Sequence, residues 1–178
     1  MGDAAALETR YLWLRRWRGA SVRTGATHRT ALQGTLDLTT QSIDPVITTS
    51  VVVAGGRQGK AVSDDGVLDL KLGAPGATSG EPATNPEQLF AAGYAACFQS
   101  ALMSAAREDG KDASASTVTA EVSLGKVESG SFGLAVALTV SIPDMNHDAV
   151  QALANAAHQR CPYSRATRGN IDVQVRAA

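Results

Sequence analysis

Alternation of apolar and polar positions predicts two long strands in the second half of the chain. Apolar side chains occur at every second position over residues 118–124 and again over residues 132–142, which places each set on one face of a strand. The segment ESGSFG between them is typical of a turn, so we expect the two strands to form a long hairpin. Two shorter strands, at residues 46–53 and 67–72, precede them and are expected to pair with each other.

A helix is predicted between the two pairs of strands. Asn85 or Thr84 as the N-cap, with Pro86 at the first helical position, is typical of a helix start. The residues that follow are apolar or small on nearly every face, so this helix must be surrounded by protein. Its most apolar run, Leu89–Met103, is shorter than the roughly 20 residues that a membrane span requires. We therefore expect a buried central helix and no membrane partner.

A second helix and a final strand complete the pattern. The segment HDAVQALANAAHQRC repeats apolar residues at helical spacing. It should stop by Cys161, because Pro162 disfavours helical geometry at the residue before it. The segment IDVQV is then predicted to form a strand. Strands, helix, strands, helix and strand predict an α+β fold with an antiparallel sheet.

Composition favours one globular domain in a reducing cytoplasm. The chain has 178 residues, 44% of them hydrophobic, and only two cysteines; a core of this size needs no disulfide scaffold. The net charge is −1, and residues 43–178 hold ten basic and fourteen acidic side chains. Nucleic acid is therefore not an expected partner.

Residues 1–42 differ from the rest. They contain six arginines, three acidic residues and both tryptophans, a composition compatible with an organelle transit peptide, a mis-assigned start codon or a partly helical arm. We expect an N-terminal extension that is disordered or results from a mis-assigned start. The folded domain is then expected to span residues 43–178.

The two cysteines are the first candidates for chemistry. Cys161 begins the tetrapeptide CPYS, which is the glutaredoxin motif CPYC with serine in place of the second cysteine. Its place after a helix and before a strand does not fit a glutaredoxin. A partner thiol would have to be Cys97, 64 positions earlier, or come from another chain. Two inert, buried thiols are the simpler alternative.

Arg57 and Glu87 are candidate activating residues. The thiolate is the nucleophilic form of a cysteine, and a free thiol has a pKa of about 8.5, so a reactive Cys97 in its apolar setting would need a cation nearby. Arg57, in the loop GGRQGK, can supply one, and a carboxylate such as Glu87 can hold the guanidinium in place. Alternatively, Arg57 is a solvated residue and Glu87 closes a capping box with Thr84.

Three segments together resemble one family. NPEQLFAAGYAACF, GGRQGKAVSDDGVLDLKL and CPYSRATRGNIDV are similar to the organic hydroperoxide resistance (Ohr) family of the OsmC superfamily, over roughly residues 43–178. The resemblance implies a peroxidatic Cys97, a resolving Cys161 that forms an intramolecular disulfide with it, and Arg57 and Glu87 as the activating pair. It also implies an intertwined homodimer with active sites at the subunit interface.

The resemblance implies substrates and a reductant as well. The substrates would be organic hydroperoxides, including those of fatty acids. The disulfide would be reduced by dihydrolipoamide or a lipoylated protein, with no bound cofactor or metal. Aromatic side chains are expected to line an apolar pocket or to belong to the core: Phe90, Tyr94, Phe98, Phe132 and Tyr163.

One geometric difficulty follows from the spacing. Glu87 and Cys97 are ten residues apart, which is about 15 Å along a straight helix, so Arg57 could hardly contact both. We expect either a helix break near Gly93 or a Glu87 supplied across a dimer interface.

Two other functions use the same residues. His158 and Cys161, with Cys97 and Glu87, form a weak metal-site pattern. A non-enzymatic redox sensor would use the same two thiols without turnover.

Overall fold

The computed structural model describes residues 42–74 and 82–178. The expectations for the N-terminal extension concern residues 1–42, and all but the last of these lie outside the described part. The loop predicted between the second strand and the central helix includes residues 75–81, which also lie outside it.

A small antiparallel sheet forms the first part of the described chain. Its strands are β1 (Val51–Ala54), β2 (Lys60–Ser63) and β3 (Asp69–Lys71), in that order across the sheet. Strand β2 pairs with both neighbours. The predicted direct pairing of residues 46–53 with residues 67–72 is therefore wrong, because β2 lies between the two segments.

Helix α1 (Pro86–Glu108) follows, and it runs without interruption for 23 residues. Asn85 is its N-cap, since the Asn85 side-chain oxygen accepts a hydrogen bond of 2.9 Å from the Gln88 backbone N–H. The predicted break near Gly93 is wrong. An interior glycine costs a helix only about 1 kcal/mol, and packing of one helix face overrides it. The buried side chains of that face are Tyr94, Phe98, Leu102, Ala105 and Ala106.

The larger sheet contains β4 (Thr117–Lys126), β5 (Phe132–Ser141) and β6 (Asp172–Ala177), with β5 in the middle. The predicted hairpin of β4 and β5 is present and pairs residue for residue along its whole length. Strand β6, however, runs parallel to β5. A parallel neighbour requires a crossover connection, and the helices between β5 and β6 provide it, so the sheet is mixed.

Two helices form that crossover. Helix α2 (His147–Arg160) ends before Cys161, as the sequence predicts, and a short helix α3 (Pro162–Thr167) begins at once. Proline is well suited to the first position of a helix, because its missing N–H has no intrahelical partner there. Pro162 therefore ends one helix and starts another.

The core lies between α1, α2 and the larger sheet. Its fully buried members include Tyr94, Phe98, Leu138, Val140 and Ala154. By length and composition α1 could also cross a membrane, but this face of the helix is part of the folded core. The opposite face, with Ala92, Ala96 and Ser100, is exposed in the single chain.

Replacement of Leu138 by alanine should lower the free energy of unfolding by about 2–5 kcal/mol, because it removes buried methyl groups from the centre of β5 and leaves a cavity. Leu124→Ala on β4 is the matched control: Leu124 is 44% exposed, so the loss should stay below about 1 kcal/mol. Urea unfolding measures both variants. Equal losses would contradict this description of the core.

Candidate active site

The two cysteine sulfur atoms lie side by side although 64 residues separate them in the sequence. Cys97 is in the middle of α1, and Cys161 is the residue between α2 and α3. The Cys161 thiol is a hydrogen-bond donor toward the Cys97 sulfur over an Sγ–Sγ distance of 3.6 Å. Cys161 is buried and Cys97 is partly accessible. Cys97 is therefore the residue of the pair that has surface open to solvent.

The corner between α2 and α3 places Cys161. Its backbone is extended, with φ −64° and ψ 125°. The Cys161 N–H closes the last turn of α2 on the Ala157 carbonyl at 2.9 Å, and its own carbonyl accepts from the Arg165 N–H at 2.9 Å. Hydrogen bonds on both sides thus hold the thiol at the junction of the two helices.

The environment of Cys97 favours the neutral thiol in the single subunit. Burial raises the pKa of Cys97, a hydrogen bond from the Tyr163 backbone lowers this pKa, and the adjacent Cys161 raises it further. Tyr163 lies in the first turn of α3, where backbone N–H groups have no partner within the helix. This hydrogen bond favours the thiolate, but burial is the larger effect.

Gly93 is a point of close approach between helices. A Cβ atom at Gly93 would lie 3.0 Å from the Tyr163 hydroxyl oxygen and 3.3 Å from its Cε2 atom. Gly93 precedes Cys97 by one helical turn, so the Tyr163 ring lies against α1 one turn before Cys97. The glycine that suggested a break instead lets the two helices meet.

The predicted aromatic pocket is found only in part. The rings of Phe90, Tyr94 and Tyr163 pack against each other with centroid distances of 5.7–6.2 Å. Tyr94 and Phe98 are fully buried core residues, and Phe132 is 71% exposed on β5. Phe90 and Tyr163 are therefore the partly accessible aromatic residues of this cluster.

Arg57 and Glu87 form a two-pronged ion pair. Arg57 Nη1 donates to Glu87 Oε2 at 2.9 Å, and Nη2 donates to Oε1 at 2.5 Å. Arg57 lies in a short 3-10 turn, Gly56–Gln58, preceded by Gly55 at φ 79°. The hydrogen bond from Arg57 lowers the pKa of Glu87, and the same bond raises the pKa of Arg57. The Arg57 side chain remains 53% exposed, so it is available to a further partner.

The capping-box alternative for Glu87 is wrong. Asn85 rather than Thr84 caps α1, and the Thr84 hydroxyl donates to the Gln88 side chain at 2.8 Å. The Glu87 carboxylate is turned to Arg57 instead, because a bidentate, charge-assisted pair is stronger than a capping bond.

The ion pair and the thiol pair are separate within one subunit. Because α1 is unbroken, Glu87 lies about 15 Å from Cys97 along the helix axis. Among the described residues, Arg57 is not one of the groups that shift the pKa of Cys97. The structure therefore brings Arg57 to Glu87 and Cys97 to Cys161, but does not join the two pairs in one chain.

The metal-site alternative has no support in the described part of the chain. No group of three or more histidine, cysteine, aspartate or glutamate side chains there is arranged to hold a metal ion. His158, the proposed metal ligand on α2, has its Nδ1 atom 3.0 Å from the Ser164 hydroxyl.

Sequence reasoning missed the polar group behind the thiols. Ser164, the serine of CPYS, is fully buried and contacts both Tyr94 and His158. The available signals were a tyrosine in the helix predicted to be buried, and a histidine and a serine three residues before and after Cys161. Helix α3, which brings them together, was not predicted.

Fold and site together define an α+β protein in which two thiols lie close in space beside an aromatic cluster. The family described as OsmC-like protein matches residues 78–176. The organic hydroperoxide resistance protein OhrB of Bacillus subtilis is 49% identical over 132 residues, covering 73% of this chain and 96% of the relative. A protein of the same description from Xanthomonas axonopodis pv. citri is 46% identical over 135 residues, covering 74% of this chain and 94% of the relative.

Solved structures of organic hydroperoxide resistance proteins also match this chain. The crystal structure of OhrB of Bacillus subtilis covers 75% of this chain and 100% of its own, with a TM-score of 0.71 and 48% identity. An organic hydroperoxide resistance protein from Elizabethkingia anophelis covers 76% of this chain and 99% of its own, with a TM-score of 0.69 and 41% identity. The chain belongs to the organic hydroperoxide resistance family of OsmC-like proteins.

Gly93→Ala should fail to give the stabilisation of about 1 kcal/mol that this change gives in an ordinary helix interior, because the new methyl group would press on Tyr163. Gly93→Ala in a Tyr163→Phe background should recover part of this stabilisation, since the Tyr163 hydroxyl oxygen, the atom nearest to the new methyl group, is absent. Urea unfolding of the four proteins measures the coupling. An equal gain of about 1 kcal/mol in both backgrounds would contradict the close approach.

Proposed function

We propose that the protein is a thiol-dependent peroxidase that reduces organic hydroperoxides, including those of fatty acids, to alcohols. The observation that carries the proposal is the 3.6 Å Sγ–Sγ contact between Cys97, a partly accessible residue, and Cys161, a buried one. A nucleophilic thiolate with a second thiol in reach is the arrangement that two-cysteine peroxide reduction requires. The names of the relatives, organic hydroperoxide resistance proteins, support the substrate class.

The proposed cycle has two steps on the protein. The Cys97 thiolate attacks one oxygen of the hydroperoxide, the O–O bond breaks, and the alkoxide takes a proton and leaves as alcohol, so that Cys97 becomes a sulfenic acid. The Cys161 sulfur then attacks the Cys97 sulfur. An S–S bond forms, the S–O bond breaks, and the hydroxide leaves with the Cys161 proton as water.

An external dithiol closes the cycle. We infer that it is dihydrolipoamide or a lipoylated protein, which becomes oxidised as it restores both thiols in a reducing cytoplasm. The inference rests on the family. The partly accessible rings of Phe90 and Tyr163 would suit an apolar chain on either the substrate or the reductant.

We further propose that the active form is a homodimer. The small sheet buries little of itself: of the residues in its strands, only Ala61 is buried in the single chain, while Val51 and Val53 are about half exposed. The face of α1 that holds Ala92 and Ala96 is also uncovered. A second copy would cover these apolar surfaces, which a lone chain leaves in contact with water.

The dimer would also complete the site. Within one subunit, Arg57 is held by Glu87 about 15 Å from Cys97 along α1, and burial raises the pKa of Cys97. We propose that the Arg57–Glu87 pair of each subunit acts on Cys97 of the other. The half-exposed guanidinium would then favour the thiolate and stabilise the departing alkoxide.

One equivalent of cumene hydroperoxide per reduced subunit should consume both thiols and give a Cys97–Cys161 disulfide within one chain. Free-thiol counting and non-reducing peptide mass spectrometry measure this outcome. Cys97→Ser should abolish the reaction, whereas Cys161→Ser should stop at the sulfenic acid. Two unreacted thiols in the unaltered protein would overturn the proposal. Repeated turnover with dihydrolipoamide separates a peroxidase from a redox sensor that reacts once.

Arg57→Gln should raise the pKa of Cys97, because it removes a cation that favours the thiolate, and the rate of alkylation at neutral pH should fall about tenfold or more. The pH dependence of alkylation in a Cys161→Ser background measures the pKa of Cys97 alone. Arg57→Lys, which keeps the charge, is the matched control. Its Cys97 pKa should lie between the value in the protein with Arg57 and the value in Arg57→Gln. An unchanged pKa in Arg57→Gln would contradict the cross-subunit assignment.

A further inference from the structure

Three polar side chains on the helices that hold the two cysteines form a hydrogen-bond chain, two of them fully buried and one, His158, partly buried. Ser164 has no solvent-accessible surface. The Tyr94 hydroxyl donates to Ser164 Oγ at 3.0 Å, and Ser164 Oγ lies 3.0 Å from His158 Nδ1. Tyr94, also fully buried, contacts Thr167 Oγ1 at 3.1 Å as well. The chain links one residue from each of α1, α2 and α3.

The protons of this chain can be assigned. Each hydroxyl has one proton to donate. The Tyr94 hydroxyl donates its proton to Ser164 Oγ, which leaves the Ser164 proton for His158 Nδ1. In this order His158 Nδ1 is an acceptor and the imidazole is neutral. Burial and the charge of Arg168 lower the pKa of His158, which is consistent with that state.

The positions of the three residues connect them to the two cysteines. Tyr94 precedes Cys97 by one turn on α1. His158 and Ser164 lie three residues before and three residues after Cys161, on the two helices that meet there. The chain therefore ties the segment that contains Cys161 to the helix that contains Cys97. The sulfur atoms are 3.6 Å apart and must approach by about 1.5 Å to form a disulfide.

We propose that Tyr94, Ser164 and His158 are positioning residues for the resolving step, in which Cys161 attacks the oxidised Cys97. This proposal rests on the proposed function. The three side chains act through the helices and do not contact substrate. A hydrolytic Ser–His pair is excluded, because a serine with no accessible surface cannot meet a substrate. Without the chain, α3 would sample other positions and the two sulfur atoms would meet less often.

The test separates the two steps in the full-length chain. Reduced protein is mixed rapidly with cumene hydroperoxide, and the rates of Cys97 oxidation and of disulfide formation are measured separately, with dimedone used to trap sulfenic acid. Ser164→Ala should slow disulfide formation about tenfold, the effect expected from one or two buried hydrogen bonds. The rate of the first step should change less than about twofold, and more sulfenic acid should be trapped.

Further variants distinguish positioning from general damage. Tyr94→Phe removes one hydroxyl and keeps the ring, and should slow the same step. His158→Leu should slow it as well, whereas His158→Asn, whose amide can take the place of Nδ1, should restore most of the rate. Ser116→Ala is the matched control, because Ser116 is buried, accepts a hydrogen bond from the Gln99 side chain, and precedes β4 rather than lying on α1, α2 or α3. It should leave both rates unchanged.

Two results would overturn the proposal: wild-type rates of disulfide formation in Ser164→Ala and Tyr94→Phe, or equal slowing of both steps. A parallel measurement uses oxidised dithiothreitol, which forms the same disulfide by thiol exchange without any peroxide. If the unaltered protein does not react with hydroperoxide, the proposed function is wrong, but slower thiol exchange in Ser164→Ala would still support the positioning role. Unchanged thiol exchange in Ser164→Ala would contradict the positioning role.

Discussion

Burial of one face of α1 is the interaction on which the thiol pair depends. Tyr94, Phe98 and Leu102 recur at every fourth position and are inaccessible to solvent. Each large apolar side chain contributes about 1.5–3 kcal/mol on burial, whereas the interior Gly93 costs about 1 kcal/mol. Packing therefore keeps the helix straight. It also fixes its rotation, which leaves Cys97 at the edge of the buried face, where it contacts Cys161 and remains partly accessible.

The same straight helix separates the thiol pair from its candidate cation. Glu87 lies in the first turn of α1, where the helix dipole favours a carboxylate, and the bidentate geometry keeps Arg57 there. A single subunit thus has a thiol whose pKa is raised by burial and, some 15 Å along the helix, a half-exposed guanidinium. In the proposed dimer, assembly would supply the missing charge. Peroxide chemistry would then require the assembled protein, and an isolated chain would retain a neutral, slowly reacting thiol.

Local patterns in the sequence predicted local structure well. The period-two alternation in β4 and β5, the N-cap of α1 and the end of α2 were all read correctly, because each depends on residues close together in the chain. Strand β2 was missed because its sequence, KAVS, has only two apolar residues, which are adjacent and do not alternate. The parallel partner of β5 was missed because it depends on how α2 and α3 cross the sheet. Both errors concern contacts between distant segments.

The candidate site shows the same difference between residue types, which the sequence reveals, and distances between distant segments, which it does not. Chemical type singled out the two cysteines and Arg57, and the family resemblance added Glu87 and assigned all four residues to one candidate site. Their distances depend on packing: Gly93 was expected to break α1, yet the space above it is filled by Tyr163. A close helix contact and a helix break require the same residue, so the sequence alone could not distinguish them.

The serine of CPYS has a physical explanation in this arrangement. A cysteine at position 164 would be a weaker donor and acceptor than a hydroxyl. The buried Tyr94 and the partly buried His158 would then lose hydrogen-bond strength in a setting where unsatisfied polar groups are costly. It would also place a third thiol three residues from Cys161, as in a CxxC motif, where it could compete with Cys97 for the disulfide. Serine keeps the hydrogen bonds and cannot be oxidised in this way. The residue that interrupts the familiar redox motif thus leaves Cys97 as the partner of Cys161 within the chain.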